Sequence, residues 1–493
     1  MVFYILALSV SVLMLISNCL AFTIIWTSQA NLSASPTNDS RDPEIAGYGI
    51  VHATVWEEWN GNDWDVYLKY TMTDGITWIS PPVQPATTAG VDEINPAVAV
   101  TNNHPQNSVE FYVVYQKQVP DTTPPNFFHW EIHGVKTNNL GLTWTSFNHP
   151  VSGRISGPAG AGVGNDAIDP AIVYTEDQSF SAVGPSYGYC LQIVWAEQIP
   201  WQPAGDYRIG YRAYSWDPNT LSFVWQAAAW YLRINPFGWY FTSAKPEIAS
   251  VDEFTTTTDY VYPFYIVFED QAWIGGAKAP VVWYVDGFFR ARTSTGAPFV
   301  PVFGTPLPIP GPSPGYDPDI AATQDFRTPE TYYIHIAYEY PDTTNSLTKI
   351  QSNFYCGGTR LPGAPAFGIV PIPLVDSYAL QTNRARPTVT VRLINFNPGG
   401  IYESWVAYEK WPVTNPADIY YRMGIFDTNT GFFTWTTTPA VVGYTPLTGS
   451  EENPELWTRN AFNGPIGSAA RIHLAFDDTT PTNPLAEITY IDP

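Results

Sequence analysis

The residues of this chain that could do chemistry recur at the ends of short apolar runs. Six runs close on an aromatic with a carboxylate at once or two places later: Trp56-Glu57, Trp195-Ala196-Glu197, Phe268-Glu269, Tyr338-Glu339, Tyr408-Glu409 and Phe476-Asp477. A seventh closes on Tyr115-Gln116. Carboxylates so placed can bind sugar hydroxyls or Ca²⁺, or they can accept neighbouring backbone N–H groups. A second set precedes recurring prolines: Asp42, Asn95, Asp169, Lys245, Asp317, Arg386 and Asn453. Asp42, Asp169 and Asp317 are its metal candidates, and Ca²⁺ is the one cofactor considered. Repetition favours structure over function in both sets, because Asx-Pro opens a turn and a strand-end Glu can cap amides in every unit. A dedicated site should break the repeat.

The elements that position these groups are themselves repeated. Asp42–Trp78 reads as Asp-Pro-x-Ile-Ala, an alternating strand ending in Trp-Glu, a second alternating strand, then a Gly turn closing on Thr-Trp. Prolines 43, 96, 170, 246, 318, 387 and 454 start seven such units, spaced by 53, 74, 76, 72, 69 and 67 residues. Each unit is a small antiparallel sheet with apolar faces that only a stacked neighbour can cover. The seventh stops at Pro493 after three strands. Phe22–Ser28, whose Trp-Thr-Ser repeats at 144–146, supplies the missing fourth strand and closes the ring. Donation of the same strand to a neighbouring molecule would build a filament instead.

Composition agrees with many short strands and rigid turns: 15% aromatics, 46 prolines and 36 glycines. With 22 basic against 45 acidic residues the net charge is −23, which repels nucleic acid and anionic lipid. Residues 1–21 read as a secretory signal ending at Ala21, with an uncleaved anchor or acylation at Cys19 as alternatives. Residues 22–41 are the closing strand and a linker carrying sequons at Asn31 and Asn38, and 42–493 form one domain. Cys190 and Cys356 fall at different positions of different units, which argues against a disulfide. His52, His335 and His473 recur on second strands, which argues for packing rather than metal binding. The breaks in the repeat are aromatic loops holding Trp201, Trp230, Trp239 and Trp273, suited to stacking on sugar rings or docking a partner protein.

The turns carry a resemblance. Thr71-Met-Thr-Asp-Gly-Ile-Thr-Trp78 and Thr137-Asn-Asn-Leu-Gly-Leu-Thr-Trp144 are similar to the Asp-box hairpin of sialidase-like β-propellers, and Asp427-Thr-Asn-Thr-Gly431 to Trp435 is a looser copy. In the first copy the Asp falls one place late, and in the second Asn139 takes its place. The resemblance implies an all-β, seven-bladed propeller of four-stranded antiparallel blades, with six blades as the alternative since sialidases of this type are six-bladed. It implies Asp boxes that are structural, their Asp or Asn capping the turn and their Trp packing between blades. It would also imply sialidase activity if three arginines, a Tyr-Glu pair and an acid/base Asp converged. Arg386, Arg422 and Arg208 are the arginines near repeat strands, but no such set is assembled by the sequence, and no catalytic residue is assigned. The reading is an exported or cell-surface propeller that binds a glycan or a surface protein, or serves a structural role, without catalysis. It has no nucleic-acid partner and no membrane contact beyond the signal or anchor, and self-association remains open. The alternatives are an exo-acting glycoside hydrolase of sialidase type and a filament subunit.

Overall fold

In the computed structural model the described residues are 28–492, less 34–36, 104–107, 121–127, 158–165, 177–188, 199–206, 218–221, 226–228, 233–243, 252–253, 256–258, 275–276, 293–299, 310–313, 325–331, 357–367, 371–373, 382, 396–400, 412–415, 443–449, 459–471 and 481–482. The signal segment, residues 22–27, Trp201 and Trp239 therefore lie outside them. Every element among the described residues is a β-strand, so none is a helix that could cross a membrane.

The strands form seven antiparallel sheets, six of which have their four main strands side by side in chain order. Blade one is Ser40–Tyr48, Val51–Trp59, Trp64–Thr71 and Val83–Ala86. The first strands of the other six are Glu93–Asn103, Ala167–Glu176, Ala244–Ser250, Tyr316–Gln324, Thr388–Asn395 and Glu451–Thr458. Each of these seven strands lies against the next, and Glu451–Thr458 returns to Ser40–Tyr48, so they surround one axis. Blade seven takes its outermost strand from the other end of the chain: Ser28–Asn31 pairs antiparallel with Asn483–Asp492, Ser28 opposite Asp492 and Asn31 opposite Thr489. Of the expected closing strand 22–28 only Ser28 is among the described residues, and the described pairing runs from it to Asn31. In blade one Trp78 makes only a bridge to Thr71, and the fourth strand starts at Val83 rather than at Trp78.

Successive blades are glued by apolar clusters drawn from both faces of each seam. Val55, Leu68, Val98 and Phe111 join blades one and two, and Leu474, Ile472, Trp405 and Ile419 join six and seven. Leu32, Ile45, Trp56, Ala475 and Tyr490 join seven to one. Covering both faces in this way removes the apolar surface that a lone four-stranded sheet would expose.

At the axis each chain segment makes the same irregular step. Asp42, Asn95, Asp169, Lys245, Asp317, Arg386 and Asn453 all have φ between 40° and 51°. In six blades the ladder slips there, as between Arg41 and Glu44, because the following proline has no N–H to donate. Asp and Asn tolerate this left-handed conformation; Lys245 and Arg386 hold it under strain of about 1–2 kcal/mol each.

Candidate functional site

The axial mouth is built from those seven left-handed steps. It encloses a cavity of about 230 Å³ lined by two tiers of side chains. The outer tier is the left-handed residues; the inner one, two positions on, contributes Glu44, Glu247, Asp319 and Glu455. Charges in the outer tier alternate. Lys245 lies between Asp169 and Asp317 and pairs with Asp317, while Arg386 faces Asp42 and Glu409. Thus Asp42, Asp169 and Asp317 each sit beside a cation. A neighbouring hollow of about 250 Å³ over the seam of blades seven and one is lined by Arg41, Asp42, Arg386, Glu452, Asn453 and Asp477. The cationic heads form an open rim, their side chains 47% exposed at Lys245, 44% at Arg41 and Arg386, and 41% at Arg384.

The inner carboxylates have no cation within the tier. Burial, and then Asp319, push Glu44 up to about 8. Burial and mutual repulsion raise Glu247 and Glu455 well above the usual range, and burial raises Asp319 despite N–H bonds from Ile320 and Val389.

Most strand-end acceptors reach across a seam to the next bulge. Glu57 accepts the amide of Asn95 at 2.7 Å, Gln116 that of Asp169 at 2.7 Å, Glu269 that of Asp317 at 2.6 Å and Glu409 that of Asn453 at 2.8 Å. Glu339 accepts the amide of Ala385 at 2.6 Å, and Asp477 accepts that of Asp42. The reason is geometric: a left-handed residue turns its N–H out of its own ladder, and the neighbouring strand end supplies the acceptor. Burial is the chief influence raising Glu57, Glu339 and Glu409 to about 7, against the N–H bonds they accept. Since Gln116 does the same work uncharged, Glu269→Gln should be near neutral in chemical denaturation. Glu269→Ala, which strands the Asp317 amide, should lose about 1–3 kcal/mol.

Glu197 departs from the pattern. Asp169 takes the Lys245 amide, and Glu197 instead accepts Gly157 N–H at 3.1 Å, Trp195 Nε1–H at 2.8 Å and the Tyr231 hydroxyl at 2.9 and 3.0 Å. Arg208 completes the group, 3.4 Å from Glu197 and stacked 3.4 Å over the Tyr231 ring. Burial, then the Glu197 charge, raise the Tyr231 hydroxyl far above its usual range, which keeps it a neutral donor. The only sequence signal for this trio is the break of the repeat that holds Trp230 and Trp239, next to Tyr231.

The other expected residues are scattered. Trp230 is exposed on the strand that bears Tyr231, and Trp273 is the penultimate residue of the strand Asp259–Ile274. Arg422 is spent on the carbonyls of Leu374, Val375 and Thr437, far in bonding terms from Arg386 at the mouth and Arg208 beside Glu197. Those three arginines therefore do not share a ligand. Asn31 is exposed, whereas Asn38 donates its amide to Glu58 at 2.9 Å. Cys190 is buried, and burial depresses His335, which packs against Ser404, to about 3.

The Asp-box turns are structural. Thr73 Oγ1 accepts the Thr77 amide at 2.9 Å, Asn139 Oδ1 that of Thr143 at 3.0 Å, and Trp78 packs 4.8 Å from Tyr490 across the closing seam. The fold is a β-propeller of seven antiparallel sheets around one axis. No family model and no curated protein matches the chain. Among solved structures, a mutant Trypanosoma rangeli sialidase displaying trans-sialidase activity aligns at 10% identity and TM-score 0.39 over 95% of this chain and 60% of that one. Trypanosoma rangeli sialidase aligns at 8% and 0.39 over 96% and 58%, and the parainfluenza virus 5 hemagglutinin-neuraminidase ectodomain at 7% and 0.40 over 95% and 86%. The chain thus spans less than two thirds of the trypanosomal proteins it matches.

Proposed function

We propose that this protein is an exported propeller that binds a glycan at the axial mouth without transforming it, residues 1–21 being its signal. The observation that carries the reading is the cationic rim of Lys245, Arg384, Arg386 and Arg41 around the cavity, while the strand-end carboxylates of six blades hold the rim's backbone in place or, at Glu197, a side-chain trio. The rim's donors and the carboxylate floor suit sugar hydroxyls, and the guanidinium groups suit an acidic substituent. Calcium has less to gain at Asp42, Asp169 or Asp317, since each already sits beside a cation. On a glycan array, Arg386→Ala combined with Arg384→Ala should weaken binding at least tenfold with the unfolding curve unchanged. Undiminished binding would move the ligand elsewhere.

A second reading, an exo-acting glycoside hydrolase, is favoured by one observation: the Tyr231–Glu197 pair under Arg208. A phenol bonded to a carboxylate is an activated nucleophile in form. The same array ligands, offered as chromogenic glycosides, separate the two readings: the binding module turns none over, and an enzyme loses turnover in Tyr231→Phe.

A further inference from the structure

The seam between blades seven and one holds a group that neither the caps nor the mouth uses. His52 lies on the second strand of blade one, His473 on that of blade seven, Ile472–Thr480, and Asp74 on the Asp-box turn of blade one. Each offers one ligand atom, and the three atoms lie within 4.8 Å of one another. Both imidazoles are fully buried, with ring centroids 4.1 Å apart. Their Nε2 atoms converge on the same oxygen, Asp74 Oδ1, at 3.3 Å from His52 and 3.6 Å from His473. These separations are long for hydrogen bonds to a carboxylate, which run about 2.7–2.9 Å. The first matches the edge of a tetrahedron around zinc, about 3.3–3.4 Å for bonds of about 2.0–2.1 Å, and the second exceeds that edge by about 0.2–0.3 Å. Among the described residues neither ring nitrogen of His52 finds a hydrogen-bond partner, in a fully buried side chain.

We propose that His52, Asp74 and His473 bind a divalent transition metal, zinc fitting best, as a clasp between the first and last blades. Two neutral imidazoles and one carboxylate suit zinc, whereas calcium would need six to eight oxygens. The Tyr490 hydroxyl bonds His473 Nδ1, which orients the ring and leaves Nε2 to the metal. The Asp74 side chain is 18% exposed, so the fourth position opens toward solvent.

Two local departures create the group. Thr73 does the turn-capping that the Asp of an Asp box would do, which releases Asp74, one place late and at φ 55°, to face the seam. His473 stands four residues before its strand-end carboxylate and His52 five before its own. The same offset sets His335, four before Glu339, against Ser404, five before Glu409, where no carboxylate joins them. The blade register therefore brings a histidine at one position against its neighbour's residue at the other.

Dialysis of the full chain against Zn²⁺, followed by elemental analysis, should retain one equivalent and raise Tm, and Co²⁺ should give the strong visible bands of a tetrahedral ion. Asp74→Asn keeps a residue that tolerates φ 55° and should fold as wild type, as judged by circular dichroism. Asp74→Asn and His473→Gln should each weaken binding at least ~100-fold and abolish the Tm rise. A wild-type chain that retains no metal overturns the proposal, as does one equivalent retained in both variants.

Discussion

Removing residues through Leu32 should destabilise the propeller by about 3–6 kcal/mol and make it prone to aggregate. The estimate follows from what the segment does. Ser28–Asn31 is the outermost strand of blade seven, and Leu32, fully buried, packs with Trp56 and Tyr490 in the closing seam. Burial of one leucine is worth about 1.5–3 kcal/mol. The Leu32 carbonyl also accepts a 2.8 Å bond from the buried Lys69 ammonium, which the deletion would strand at a further cost of about 1–3 kcal/mol. Loss of the strand bares Asn483–Asp492 as an edge, and an unpaired edge recruits other chains. Calorimetry with size-exclusion chromatography reads both effects. An unchanged Tm in the truncated monomer would show that the strand does not close the ring. Polymers of the full-length chain that vanish on truncation would instead support donation between molecules.

Stability should fall as pH rises from about 4.5 to 8, opposite to the usual gain of a carboxylate-rich protein over that range. The sign follows from proton counts. Glu44 holds its proton to about 8, and Glu57, Glu339 and Glu409 to about 7, because burial disfavours their charged forms. An unfolded glutamate releases its proton near ~4.3. Between those limits the folded chain binds more protons than the unfolded one, so stability is fully present below the unfolded pKa and is withdrawn as pH climbs through the folded values. Glu247, Glu455, Asp319 and Asp477 are raised too and act in the same direction. Asp74 and Glu131 are held low by their histidine neighbours against the effect of burial, and they lose stabilisation only in strong acid. For Glu44 alone the gap between ~4.3 and about 8 corresponds to on the order of 5 kcal/mol. Glu44→Gln should flatten the Tm–pH curve above pH 6 and leave it unchanged at pH 4.5. An equally steep curve in that variant would place the titrating groups away from the axis.

Much of the architecture was legible in one dimension, since strand pairing is governed by period-two patterning and by prolines that must interrupt a ladder. Pro43 and its six counterparts mark the bulges because a residue with no N–H cannot continue the pairing. The third strands of blades one and six, Trp64–Thr71 and Asp418–Asp427, occupy the alternating runs that follow the Trp-Glu and Tyr-Glu strand ends. The short fourth strands and the closing strand were less legible, because few ladder bonds specify them and turn length sets their start. Trp78 illustrates this: it has the aromatic character of a strand start, but the turn carries it to the seam with Tyr490.

The candidate site divides in the same way. The sequence alone determined that Glu57, Glu269, Glu339, Glu409 and Asp477 would share one role, because identical local surroundings repeat from blade to blade. It also pointed to breaks in the repeat as the places to look. Only the tertiary structure decided that Glu197 leaves that role for Tyr231 and Arg208, and that Asp74 meets two histidines lying 421 residues apart in the chain. The physical reason is that blade grammar is local, written in residues a few positions apart, whereas a seam joins two faces whose relative register is set by the closure of the ring. A residue one place out of pattern looks like noise along the chain, and across the seam it becomes a ligand.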